Sequence, residues 1–280
     1  MKKLAKVLLI TAAVVFTIGI VLVITGFMSG GRITNIDIFG GNVYEYEDID
    51  KDFSESTIEN LDLEIDTGKL QIIEGDSFRV VGTDIIEGSI KVGVNNNTLY
   101  IKENDHDVWG WFKHIGAFNK QSVVTVTVPK DFVAKNTEVE VDAGRLEIEK
   151  LATDVLDVNV QAGKATINKL TVNSKASIDV EAGSVNGEDY NGKNLEVEVS
   201  AGSCDLTGVF TERLDLECSA GAINIDTALA ADEYSYNLEQ SAGSIRVNGD
   251  SYKQYDGKNT NATNSIVAKT SAGTIKIETK

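Results

Sequence analysis

The stretch Leu195–Val209, LEVEVSAGSCDLTGV, alternates apolar and polar residues up to an Ala-Gly pair, then resumes the alternation one step out of phase. Before Gly202 the apolar residues stand at odd offsets: Leu195, Val197 and Val199. After it they stand at even offsets: Cys204 and Leu206. A period of two means a β-strand, because successive side chains point to opposite faces. The parity switch marks a corner, where glycine permits a backbone that other residues resist. The alanine before it is expected to face inward, where a larger side chain would not fit.

The same phrase recurs along the chain. Its Ala-Gly glycines are Gly144, Gly163, Gly183, Gly202, Gly221, Gly243 and Gly273, spaced by 19, 20, 19, 19, 22 and 30 residues. An earlier copy, LDLEIDTGKLQI (Leu61–Ile72), carries Thr in place of Ala and centres on Gly68. Five residues before the glycines stand Leu63, Val139, Val158, Ile178, Val197, Leu216, Leu238 and Ala268. Three before, the column turns polar only at Gln240 and Thr270. One such unit cannot bury its apolar face alone, whereas stacked units can, with like residues in columns ~4.8 Å apart. The predicted fold is all-β: a β-solenoid, a single-chain parallel β-helix of roughly 19-residue rungs. A β-sandwich would vary strand length and turn type more than these spacings do.

The last phrase, SAGTIKIETK (Ser271–Lys280), reads as the final rung, so the chain is expected to stop at the solenoid's end. Lys276, Lys280 or the insertion Asn248–Ser265 folding across as a cap would protect that end. Left uncovered, it would allow self-association by end-on stacking.

Composition fits a strand-rich protein: 42% hydrophobic residues, 25 glycines and one proline. The net charge is -17, and setting aside Lys2, Lys3 and Lys6 takes it to -20. Such a surface repels nucleic acid, and it favours cations, basic peptides or a basic face of an envelope protein as partners. Cys204 and Cys218 replace aliphatic residues on inward positions, as buried thiols that act as small hydrophobes. Whether they pair is left open by the sequence.

Ahead of the repeats, Val7–Phe27 is an uncharged run of 21 residues preceded by lysines. It is long enough to cross a bilayer, and the positive-inside rule puts the N-terminus in the cytoplasm. A cleaved signal peptide, the alternative, would have an apolar region of only ~7–15 residues and a small-x-small site. The expected organisation is a transmembrane signal anchor over 1–28 and a juxtamembrane linker over 29–56. An N-terminal β part with an aromatic loop then covers 57–129, and the solenoid covers 130–280 on the extracytoplasmic side.

The sequence resembles the bacterial β-strand-repeat proteins labelled "putative adhesin", an envelope domain of unknown function. The matching stretches are NLDLEIDTGKLQIIEGDSFRVVGT, NNNTLYIKEN and SVVTVTVPKDFVAKNTEVEVDAGRLEIEKL, followed by the Ala-Gly rungs. The resemblance covers about 57–280 and implies a β-solenoid and an envelope location. It also implies a sensing or accessory role near envelope stress systems, and it brings no catalytic residues.

A search for chemistry finds no nucleophile elbow, phosphate loop or dinucleotide fingerprint, and no cofactor is expected. His106 and His114 lack partners at a zinc spacing. A calcium loop begun at Asp105 would place Gly116 where a bidentate Glu is required. The candidates are two surfaces. One is an acidic face made by Glu140, Asp179, Glu198, Glu217 and Glu239, four residues before their glycines. A parallel lane of Glu138, Asp157, Glu196 and Asp215 stands six before. The other is an aromatic loop with Trp109, Trp111 and Phe112, placed to dock on the solenoid or to contact a membrane or partner. A glycan-cleaving enzyme is the catalytic alternative. It needs two carboxyl groups with split environments in a cleft, and regular lanes without long loops do not build one.

Overall fold

A computed structural model of the chain describes residues 45–103 and 122–280. The expected transmembrane segment 1–28, the linker up to residue 44 and the aromatic loop lie outside the described residues. Among the described residues, no helix is long and apolar enough to cross a membrane.

The described chain is almost all strand. A first corner, at Gly68, joins β2 (Asn60–Ile65) to β3 (Lys69–Gly75). Serial corners then join β8 (Ala134–Val141) to β9 (Arg145–Ile148), β10 (Leu151–Val160) to β11 (Lys164–Ile167), and β12 (Leu170–Val180) to β13 (Ser184–Val199). The long β13 runs on through the next corner to β14 (Ser203–Cys218), and β14 to β15 (Ala222–Thr227). Each rung lies parallel to the next and in register: Val139 opposes Val158, then Ile178, Val197 and Leu216 follow in line.

The inward column therefore continues from rung to rung. Ile101, Leu63, Val139, Val158, Ile178, Val197, Leu216, Ala268 and Leu238 form one such line, each at most 1% exposed. Burying a Val, Leu or Ile contributes roughly 1.5–3 kcal/mol, so columns of this kind carry the fold. Cys204 and Cys218 are free and buried within them, and burial raises both thiol pKa values.

The corners differ from expectation in two ways. The alanines at positions 143, 162, 182, 201, 220, 242 and 272 are exposed, so two residues of each corner, not one, face outward before the glycine turns in. The glycines of the seven Ala-Gly corners keep negative φ; only Gly68 of the first corner is left-handed, at +91°. The Ala-Gly corners need glycine for closeness. A Cβ on Gly163 would lie 2.6 Å from the Gly144 carbonyl, one on Gly183 2.5 Å from that of Gly163, and one on Gly202 closer still to that of Gly183. Hydrogen bonds run through the stacked corners, as from the Ala182 N–H to the Gln161 carbonyl at 2.7 Å.

At both ends the order in space departs from the order in the chain. At the C-terminal end, β16 (Tyr234–Gln240) and β17 (Ser244–Val247) follow β15, then β18 (Asp250–Tyr252), β19 (Gln254–Gly257), β20 (Asn264–Thr270) and β21 (Thr274–Thr279). The β14–β15 rung pairs with β20–β21, and β16–β17 pairs with the far side of β20–β21. The SAG phrase at Ser271 is thus an inner rung, not the end of the stack as the sequence suggested. The insertion does supply the cap: β19 pairs antiparallel with β16, and β18 with β17.

The N-terminal end repeats this device. β6 (Thr98–Glu103) and β7 (Val123–Pro129) lie on one side of β2–β3, with β8–β9 on the other. β5 (Ile90–Asn95) covers β6, β4 (Arg79–Ile86) covers β7, and β1 (Tyr46–Asp52) adds to β4, all antiparallel. Residues 46–52, read from the sequence as linker, are this outer strand. Both ends of the stack are closed by irregular, charged or short strands, which removes the flat edge that end-on stacking needs.

Candidate binding face

The outward residues of the strands before the corners stack as regularly as the inward ones. The lane four before the glycines runs Glu64, Glu140, Asn159, Asp179, Glu198, Glu217, Lys269 and Glu239 in direct register. The lane six before runs Asp62, Glu138, Asp157, Ser177, Glu196 and Asp215, then Val267 and Asn237. The five acidic candidates are therefore brought onto one surface, with Lys269 of the inserted rung between Glu217 and Glu239.

The two lanes differ in compensation. Three residues of the six-before lane meet a cation: Lys102 lies 3.0 Å from Asp62, Lys175 3.1 Å from Glu196 and Arg213 2.7 Å from Asp215. Among the described residues, no ion pair reaches Glu140, Asp179, Glu198, Glu217 or Glu239. Glu140 accepts a hydrogen bond from Gln161 Nε2 at 3.2 Å.

Partial burial and like charge raise the carboxyl pKa values of Glu64, Glu103, Asp142 and Asp179. Burial is the larger cause for Asp179, with Asp157 and Glu198 adding to it. Glu64 and Asp142 are raised by burial and then by Asp66 and Glu140. Glu103, at the first corner, is pushed up to about 7 by burial and by Asp66. It accepts hydrogen bonds from the N–H groups of Asp66 at 2.7 Å and Thr67 at 3.3 Å, which act in the opposite direction. Toward the C-terminal half, Glu198, Glu217 and Glu239 are exposed.

Beside the acidic lanes the structure has a shallow depression of about 390 Å³, lined by Asp62, Asn95, Asn96, Thr98, Tyr100 and Lys102. The sequence reading passed over it. Asn96 and Asn97 take left-handed φ in the two-residue turn between β5 and β6, and the Asn run was the available signal. Tyr100 folds across Gly93 opposite it, where a Cβ would lie 2.6 Å from the tyrosine oxygen. Among the described residues, no group of three or more His, Cys, Asp or Glu is placed to hold a metal ion. His106, His114, Trp109, Trp111 and Phe112 lie outside the described residues.

Stacked parallel rungs, antiparallel covers and a charged outer face define a solenoid-like all-β repeat domain. Its family model, Toastrack DUF4097, matches residues 58–256, and the chain belongs to that family. The resemblance to the adhesin-labelled β-strand-repeat family is thereby borne out. Similar solved structures include a "putative cell adhesion protein" from Clostridium sporogenes ATCC 15579, 16% identical, covering 84% of this chain and 100% of that one at a TM-score of 0.38. A "putative adhesin" from Bacteroides fragilis NCTC 9343 is 18% identical, covering 83% and 98%, at 0.39. A "putative lipid binding protein" from Parabacteroides distasonis ATCC 8503 is 13% identical, covering 84% and 96%, at 0.47. No curated protein matches the chain.

Proposed function

We propose that this protein is a non-catalytic, membrane-anchored module of the cell envelope, held by the segment 1–28 with its β domain outside the cytoplasm. It binds a cationic partner, a basic peptide or the basic face of an envelope protein, on the acidic face. The observation that carries this reading is the four-before lane: Glu64, Glu140, Asp179, Glu198 and Glu217 stand in register on one surface without an ion pair among the described residues. Carboxylates on neighbouring rungs repel, and a cation laid along them relieves that repulsion. A net charge of -17 adds long-range attraction for such a partner.

The test uses the full chain in detergent and a fluorescent Lys/Arg-rich peptide, read by anisotropy. Binding should fall steeply with added salt. The double substitution Glu198→Lys and Glu217→Lys should weaken it by roughly tenfold or more. Binding that is unchanged by these substitutions would sink the proposal.

A further inference from the structure

The inserted C-terminal rung leaves a second surface to explain. β14–β15 and β16–β17 are consecutive in the chain, yet β20–β21 lies between them and pairs with both. When residues 222–257 have been laid down, the two flanking rungs face an empty slot one rung wide. That slot is filled only by β20–β21.

The rung that fills it matches the slot in several independent ways. Thr270 Oγ1 donates to the Cys218 carbonyl at 2.9 Å, which explains one of the two polar residues in that column. Asn264 accepts from the Glu212 N–H at 2.9 Å and donates to the Glu233 carbonyl at 3.3 Å. Thr279 exchanges two hydrogen bonds of 2.8 Å with Asn248. Lys269 separates Glu217 from Glu239, and a Cβ on Gly273 would lie 2.8 Å from the Gly221 carbonyl. Register, corner and charge all fit this sequence.

The tether is short but slack. Residues 258–263 connect β19 on one edge of β16 to β20 on the other. That crossing is about 10 Å, whereas six residues reach about 20 Å.

We propose that the slot is a strand-acceptor site for a second copy of this chain, in which β20–β21 of each copy fills the slot of the other. The strand-to-strand hydrogen bonds of β20–β21 are then remade between copies. Residues 258–263 form the hinge, whose opening releases the bonds between Asn259 and Ser235. Exchange of an identical element is a low-cost route to a dimer. It differs from end-on stacking, because both ends of the solenoid stay covered.

The full chain in detergent tests this with Asp215→Cys and Val267→Cys, which face each other outward across β14 and β20. Neighbouring strands hold such a pair within disulfide range. After unfolding, refolding at low concentration and oxidation, the bond should form within one chain. Refolding at high concentration should give a dimer whose two chains are joined by that same bond, in a fraction that rises with concentration. The native chain, with only its buried cysteines, should give no covalent dimer. Two differently tagged native chains should co-purify when refolded together, and should exchange only slowly when mixed after folding. Lys269→Glu, by loosening the inserted rung, should speed exchange of tagged copies roughly threefold to fivefold. Absence of any dimer across the concentration range, or a dimer never joined between residues 215 and 267, would overturn the proposal.

Discussion

At the scale of the residue, the corner glycines act by yielding space. Gly183 has no need of a left-handed backbone; its missing Cβ lets the Gly163 carbonyl approach to where a methyl group would sit at 2.5 Å. Gly183→Ala must push two rungs apart in the middle of the stack, with a loss of stability of about 2–4 kcal/mol. Gly88 is the control of opposite kind. Its φ is +71° and nothing lies within 4 Å of an added Cβ, so Gly88→Ala should cost about 1 kcal/mol, the strain of the backbone alone. Urea unfolding of the two variants checks the difference, and equal losses would contradict the packing account. The need for glycine was legible in the repeat, but its reason was not. A single unit shows parity, whereas the carbonyl that excludes a side chain belongs to the neighbouring rung. The exposed alanines were misread for the same cause, since an apolar residue at a corner does not reveal which way it faces.

At the scale of the element, rungs and inward columns follow from period two and the Ala-Gly spacing, and the column from Leu63 to Leu238 stands where it was read. What the sequence did not disclose is which rung lies beside which. Spacings of 22 and 30 announce insertions, but rungs of like pattern can pair in more than one order. The clues were the polar Thr270 and the basic Lys269, each out of keeping with its column and each matched to a neighbour only in the observed order. The cap was more legible than its attachment. Asn248 and Gly249 take left-handed φ of 50° and 85° in the two-residue turn between β17 and β18. That pair is a strong hairpin signal. Gly249→Val should strain this turn by about 1–2 kcal/mol. Hydrogen exchange should then rise at residues 250–257 and stay unchanged at the central rungs around Val158 and Ile178. Faster exchange throughout the stack would mean that the cap and the solenoid unfold as one unit.

At the scale of the whole molecule, the acidic surface proposed for binding also sets the pH at which the fold is most stable. The carboxyls of Glu64, Glu103, Asp142 and Asp179 have raised pKa values, so each binds a proton more tightly folded than unfolded. Their contribution is fully present below the unfolded pKa and is lost as pH rises through the folded one. For Glu103 that window runs from its ordinary 4.5 to about 7. Its carboxyl faces Asp66 and Glu64, and protonation relieves repulsion from both. Other carboxyls act oppositely. Asp50 is held low by Arg79, Glu59 by Lys135 and Glu147 by Lys69, and what these pairs contribute disappears as pH falls through their lowered values. They are exposed or half-buried surface pairs and count for little individually. The denaturation midpoint should therefore rise as pH is lowered from about 8 toward 5, then fall in stronger acid. Glu103→Gln should flatten the slope between 4.5 and 7, because a neutral side chain at that corner has no proton to lose. The same titration should weaken a cationic partner's hold as the fold gains stability, since Glu64 and Asp179 belong both to the binding lane and to the raised carboxyls. Stability and peptide binding that move in the same direction over this window would separate the partner's contacts from Glu64 and Asp179.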